Sequence, residues 1–173
     1  MRLGINGWRI HGQRTGIGRY LLNIVKHWTP DGPVCRFKTV TFYTPRPVDR
    51  REIPLPPGMR TRILTPAAPL LLWENARLGP AAGDDVLFCP SYTRPIVARG
   101  RTVVTTHDAV LPLYPELFPR TARYLHDPLY AWSARHATLV ITDSEAARQD
   151  ISRVYRVPLA RIRVVYLAPA DCF

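Results

Sequence analysis

The strongest constraint on the fold is that short apolar strand patterns alternate with helical patterns along most of the 173 residues. Strands that are apolar on both faces and separated by helices are typical of a parallel sheet covered by helices on both sides. We therefore predict a Rossmann-like three-layer α/β/α domain with a mostly parallel sheet. The strand patterns cover residues 2–6, 34–43, 60–64, 85–89, 102–106, 139–142 and 162–166.

Helical periodicity is clearest directly after the first strand, over residues 17–28, where apolar residues recur every three or four positions. Further helices are predicted near residues 70–79, 115–136 and 144–156. Pro128 should kink or split the second of these, and Asp143 or Ser144 should cap the third. Residues 44–59 carry five prolines and several charges, so we expect an exposed loop there.

Composition narrows the class of protein. No run of about 18 apolar residues occurs, as a membrane-spanning helix would need, and the start of the chain has no signal-peptide pattern. Cys35, Cys89 and Cys172 are odd in number and widely spaced, which argues against a disulfide framework or a zinc site. We expect a cytoplasmic protein, with Cys35 and Cys89 as buried thiols.

The net charge of +11 has two explanations at this stage. It indicates an anionic partner, such as nucleic acid, a membrane face or a phosphorylated substrate, or it reflects an Arg-rich coding bias. The basic residues are scattered, so we expect no specific nucleic-acid site. Peripheral contact with an anionic membrane is compatible with this charge.

A glycine-rich turn joins the first strand to the first helix. Gly16 and Gly18 allow close approach of a ligand, and the first N–H groups of a helix attract anions. Gly16, Ile17, Gly18 and Arg19 are therefore candidates for binding a phosphate group. The alternative, a turn that uses glycine only for its backbone angles, stays open because GxG without a third glycine is a weak motif.

Loops that follow parallel strands meet at the carboxyl edge of the sheet, where such proteins bind ligands. His107 follows the strand at 102–106, and its ring can bond a ligand hydroxyl or orient reacting groups. Asp108 can orient His107, contact a substrate or cap the next turn. Further substrate-binding candidates are Arg14 in the glycine-rich turn, Glu74 and Asn75 in the predicted helix at 70–79, and Ser91, Tyr92 and Thr93 in the turn after the strand at 85–89.

Six segments, in order, resemble the N-terminal half of a GT-B glycosyltransferase of retaining family four, the glycogen-synthase-like clan. "DVLFCPSY" at 85–92 is similar to the family's "DVLFSPSY", and "TDSE" at 142–145 followed by Asp150-Ile151 is similar to its "VSE…DI". The other four are "RTGIGRY" at 14–20, "LLWEN" at 71–75, "TTHD" at 105–108, and "YRVP" at 155–158 with "IRVVY" at 162–166.

The resemblance implies that residues 1–168 form the acceptor-side domain and that 169–173 begin a linker to a C-terminal donor-binding domain, which the sequence lacks. That domain would be the chain's own partner, and a nucleoside-diphosphate sugar the donor. A glycan or lipid-linked molecule would be the acceptor, with no cofactor and no metal. The resemblance makes His107 and Asp108 the catalytic candidates and aims the glycine turn at the diphosphate. It also implies a front-face route in which the leaving phosphate assists deprotonation of the acceptor.

Two other classes compete with this interpretation. A non-catalytic basic α/β module that binds nucleotide or nucleic acid would explain the charge. A dinucleotide-binding dehydrogenase domain would explain the strand–turn–helix pattern. The second is disfavoured because GxGxxG is absent and no acidic residue ends the second strand near Tyr43.

Overall fold

The computed structural model describes residues 1–12, 15–28 and 37–168, and within them the chain forms two compact units. The first unit is Met1–Phe88 with Pro95–Arg101, and the second is Cys89–Arg94 with Thr102–Phe173. Every strand pair given below is parallel, which confirms the predicted Rossmann-like α/β class. Among the described residues, no helix combines the length and apolar character needed to cross a bilayer.

Four strands build the first unit, in the spatial order β3-β2-β1-β4. Its core holds Ile5, Phe42 and Trp73, none of which has more than a trace of exposed surface. The elements are β1 (Arg2–Asn6), α1 (Gly16–Lys26), β2 (Thr39–Thr44), β3 (Met59–Ile63), α2 (Leu70–Trp73), a π-helical turn (Glu74–Leu78), α3 (Gly79–Ala81) and β4 (Val86–Cys89). A single 3-10 turn, Trp8–Ile10, follows β1.

The second unit contains three strands in the order β5-β6-β7. In their register Thr105 lies opposite Ile141, and Thr142 opposite Val164. The elements are β5 (Arg101–Thr105), α4 (Val110–Leu113), a π-helical turn (Ala122–His126), α5 (Asp127–His136), β6 (Leu139–Thr142), α6 (Glu145–Tyr155) and β7 (Ile162–Val164). Two 3-10 turns, Pro115–Leu117 and Leu159–Arg161, complete it.

Two local expectations need correction. The segment at 107–114, expected to be a loop because it follows a strand, contains the short helix α4, which is too brief to show periodicity in sequence. In the loop at 44–59, Ile53 and Leu55 are buried, so part of the loop is anchored to the core rather than exposed. The interruption expected at Pro128 is present: the π-helical turn Ala122–His126 comes directly before α5, so regular α-helix is split just ahead of the proline.

Candidate active site

A histidine–aspartate pair stands beyond the carboxyl ends of β5 and β6. Nδ1 of His107 lies 2.7 Å from Oδ2 of Asp143, and the two side chains are 14% and 21% exposed. The register explains the meeting, because Thr105 and Ile141 lie opposite each other and each side chain follows two residues later. Thr142 adds a bond from its hydroxyl to the carbonyl of His107, at 3.3 Å.

The hydrogen bond to Asp143 gives the imidazole a defined orientation. A neutral ring that donates from Nδ1 to the carboxylate carries its acceptor lone pair on Nε2. Asp143 was predicted only as a possible helix cap. The N-cap is instead Ser144, whose hydroxyl accepts from the N–H of Ala147 at 3.1 Å. Oδ1 of Asp143 is buried and has no hydrogen-bond partner among the described residues.

Tyr92 packs against this pair. Its ring meets the His107 ring edge-on at a centroid distance of 5.6 Å and stacks on Tyr130 at 4.7 Å. Burial raises the pKa of the Tyr92 phenol, and the neighbouring Asp108 carboxylate, which its hydroxyl bonds, raises it further. Tyr92 also has a positive φ of 46°, a conformation that non-glycine residues seldom adopt. The ring is therefore held beside His107 by both backbone and packing.

Asp108 contributes to this arrangement through local bonds. Its Oδ1 accepts from the N–H of Val110 at 3.1 Å, so it caps the start of α4, one of the roles expected for it. Ser91 and Thr93 are buried, and the hydroxyl of Thr93 donates to the carbonyl of Ser91 at 3.2 Å. Those contacts are internal to the turn after β4. A substrate role for Ser91, Thr93 and Asp108 stays a prediction.

The glycine turn lies in the first unit, where Thr15 precedes α1. Arg14 falls outside the described residues. Gly16 is exposed, and a side-chain carbon built on it would meet no atom within 4 Å. Arg19 is exposed and Ile17 half-buried, whereas Gly18 is buried in the packing of the helix. Packing within the described residues therefore does not require glycine at position 16, and the binding of a phosphate group at this helix start stays a prediction.

Glu74 and the half-buried Asn75 lie in the same unit. Glu74 is fully buried, and Asn6, at the end of β1, donates to its Oε1 at 2.8 Å. Asn75 donates from Nδ2 to the carbonyl of Leu71 at 2.7 Å and accepts at Oδ1 from the N–H of Ile96 at 2.8 Å. Both polar atoms of the Asn75 side chain are thus bonded within the fold. Contact of Glu74 and Asn75 with a substrate stays a prediction.

Sequence reasoning missed Asp143 and Tyr130. Asp143 comes directly after a strand end, as His107 does, but local sequence does not show that β5 and β6 are neighbours. Tyr130 carries no signal of its own within the helical pattern. Among the described residues, no group of three or more His, Cys, Asp or Glu side chains could hold a metal ion. Nε2 of His107 is itself buried, and the role of His107 toward a substrate hydroxyl stays a prediction.

A parallel α/β chain with polar groups beyond its strand ends has the architecture of a ligand-binding or enzyme domain. The sequence model of Glycosyltransferase Family 4 matches residues 14–168. The chain therefore belongs to glycosyltransferase family 4. No curated protein sequence gives a match.

Two solved structures of Alr3699/HepE from Anabaena share the fold. The complex with UDP and glucose has a TM-score of 0.60 at 17% identity, covering 96% of this chain and 44% of that one. The complex with UDP has a TM-score of 0.57 at 18% identity, covering 95% of this chain and 43% of that one. This chain thus spans less than half the length of those proteins.

Proposed function

We propose that this chain is the acceptor-side, N-terminal half of a retaining glycosyltransferase. The complete enzyme would transfer a glycosyl unit, of hexose type, from a nucleoside-diphosphate sugar to a sugar, glycan or lipid-linked acceptor. The family match over residues 14–168 carries this proposal. The chain covers 44% of Alr3699/HepE, a protein whose structure is described in complex with UDP and glucose. This coverage supports a second, donor-binding domain outside these residues.

His107 is the residue we assign to the reacting groups. Its orientation by Asp143 at 2.7 Å would let the ring bond a hydroxyl of the donor sugar or of the acceptor. The open start of α1 would supply N–H groups and positive dipole to the departing diphosphate. Retention would follow the front-face route, with the leaving phosphate assisting deprotonation of the acceptor.

Calorimetric titration with UDP and GDP tests the two-domain arrangement. It compares the 173-residue chain with a protein that continues along the gene beyond Phe173. We expect only the longer protein to bind, and the preferred nucleotide then narrows the donor. Equally tight binding by the 173-residue chain would instead support a self-sufficient nucleotide-binding module and contradict the proposal.

The stereochemical part of the proposal needs its own measurement. The anomeric configuration of the first product formed by the longer protein can be read from its proton NMR coupling constant. Retention relative to the donor sugar is expected. Inversion would contradict the front-face route and leave the glycosyltransferase assignment in place.

A further inference from the structure

A pocket of about 380 Å³ opens beyond the carboxyl ends of β1 and β2 in the first unit. This volume lies within the usual range for small-ligand sites, roughly 300–1,000 Å³. No acidic side chain of the described residues lines it. Its walls come from the segment after β1, the segment after β2 and the segment leading into α2, and include Trp8, His11, Gly12, Arg46, Ala68 and Pro69.

Trp8 forms a fixed aromatic wall of this pocket. Its indole N–H donates to the carbonyl of Ala68 at 2.9 Å, and its backbone N–H donates to Oδ1 of Asn6 at 3.1 Å. The guanidinium of Arg9 lies over the ring, 5.4 Å from its centroid. An indole held at both its backbone and its edge loses little entropy when a ligand packs on it, and the C–H groups of a sugar ring suit such a surface.

His11 and Arg46 are joined through Thr44. The Thr44 hydroxyl donates its single proton to the carbonyl of Arg46 at 2.8 Å, so it must accept from Nε2–H of His11, with which it is bonded. This chain of bonds fixes the backbone that carries Arg46 while its guanidinium stays exposed. Gly12, at a φ of 75°, adds no side chain to the opening.

Charge in this part of the chain favours an anionic ligand. The first unit contains 15 of the 24 basic residues but only 6 of the 13 acidic ones. Glu74, the acidic residue nearest in sequence to the α2 wall, is buried and bonded to Asn6. The first unit as a whole is therefore positively charged, and a guanidinium binds phosphate through paired N–H groups.

We propose that this pocket binds a glycosyl phosphate, with the sugar ring against Trp8 and the phosphate at Arg46. The inference deepens the proposed function, on which it rests, by naming the acceptor class: a saccharide that carries its phosphate at the reducing end. A soluble sugar phosphate and a lipid-linked saccharide share this chemistry.

The test is an NMR titration of the 173-residue chain that follows the indole N–H resonance of Trp8. The probes are the 1-phosphates of glucose, galactose and mannose, with the parent sugars and inorganic phosphate alone for comparison. We expect at least one glycosyl phosphate to shift the Trp8 resonance and to bind about tenfold more tightly than its separate parts. The indoles of Trp28, Trp73 and Trp132 should not move.

Two variants separate this site from general charge attraction. Arg46→Ser should weaken binding by about fivefold or more, because it removes the guanidinium that meets the phosphate. Arg50→Ser removes an equally exposed arginine of the same loop that does not line the pocket, and should leave binding unchanged. Unchanged spectra elsewhere would show that both variants are folded. Equal weakening by the two substitutions, or no shift of Trp8 with any probe, would overturn the proposal.

A further arm uses a polyprenyl-linked glycosyl phosphate in detergent micelles, with empty micelles as the control. Tighter binding than the soluble form supports a lipid-linked acceptor, and equal binding supports a soluble one. The proposed function is tested by a different measurement, the nucleotide titration of the longer protein. If glycosyl phosphate binds but no nucleotide does, the pocket assignment is supported and the glycosyltransferase proposal is contradicted.

Discussion

Single residues at the strand ends of the second unit provide the sharpest test of catalysis. His107→Ala in the longer enzyme should lower kcat by about tenfold or more, because an oriented hydrogen-bonding group is removed from the reacting atoms. Asp143→Asn should produce a similar loss, since an amide can donate to Nδ1 and favour the wrong tautomer. Initial rates and melting temperatures measured together check both expectations.

Asp150→Asn is the matched control for these two variants. Asp150 forms a surface ion pair within α6, with Arg153 at 2.7 Å, so its neutralisation should leave kcat unchanged. If His107→Ala and Asp143→Asn instead lower the melting temperature strongly but keep full activity per folded molecule, His107 and Asp143 have a structural role.

Tyrosines with raised pKa values predict a loss of stability at alkaline pH. Burial, followed by the bonded carboxylates of Asp108 and Asp127, raises the pKa of Tyr92 and of Tyr155. Burial and Asp84 raise the pKa of Tyr43 to about 12. Because the unfolded chain loses these protons near pH 10, their contribution to stability is complete below that pH and declines as the pH rises through the folded-state values.

Melting temperatures recorded across this alkaline range, with ultraviolet absorbance to follow phenolate formation, check the expectation. Tyr43→Phe should flatten part of the decline. Tyr166→Phe should not, because Tyr166 is 73% exposed. Full ionisation of all eight tyrosines near pH 10 in the folded protein would contradict it.

His107 was predictable from sequence and its partner was not, for a definite physical reason. A polar residue directly after an apolar strand is visible in one segment of sequence. The partner depends on which strand lies next to β5 and in what register, and that information is absent from local patterns. The same limit explains why the burial of Glu74 beside Asn6, 68 residues away in sequence, was not anticipated.

Helix capping differs between α6 and α1, and substitution should reveal the difference. Ser144 accepts a bond from Ala147, whereas the side chain of Thr15 makes no capping bond at the start of α1. Ser144→Ala should therefore cost about 1 kcal/mol of unfolding free energy, and Thr15→Ala close to nothing. Urea denaturation of the two variants measures this. Equal losses would mean that the Thr15 hydroxyl also caps in solution.

A substitution at the start of α1 can distinguish an effect on packing from an effect on ligand binding. Gly16→Ala meets no atom within 4 Å, so it should leave the melting temperature unchanged or raise it slightly through reduced chain entropy. In the longer enzyme the added methyl should nonetheless weaken diphosphate binding, because it blocks close approach to the backbone. Calorimetry with UDP provides the measurement. Undiminished affinity would restrict Gly16 to the role of a turn residue.

Long elements were predictable where one face is buried, as in α1, whose Leu21 and Val25 are fully buried members of the apolar stripe. Short elements were not. Helix α4 spans only Val110–Leu113, one turn, which is too short to show a repeating pattern, and Asp108 accepts a bond from the N–H of Val110 at its start. Ile53 and Leu55 anchor the loop after β2 through tertiary packing, which cannot be predicted from two isolated apolar residues in the sequence.

For the whole molecule, alternation of strands and helices was sufficient to predict the parallel α/β class, because it follows from the burial of both sheet faces. The same pattern did not predict a function. The functional prediction came from six short motifs, and the match of Glycosyltransferase Family 4 to residues 14–168 confirms the family that they indicated. The pocket beside Trp8 was not predicted, since three segments far apart in sequence build it.

The net charge of +11 supports a prediction that separates the glycosyltransferase from a nucleic-acid-binding module. Arginines scattered along the sequence attract any polyanion, and we expect them to form no groove that follows a phosphate backbone. Binding of duplex DNA or single-stranded RNA should therefore be weak, independent of sequence, and lost as salt rises from about 50 to about 200 mM. Fluorescence anisotropy with labelled oligonucleotides at several salt concentrations measures this binding.

Arg46→Ser and Arg50→Ser should reduce oligonucleotide binding equally, in contrast to their different effects on the binding of glycosyl phosphate. Tight binding that survives at 200 mM salt would favour the nucleic-acid module, because only a built site retains affinity when the counterion contribution is suppressed.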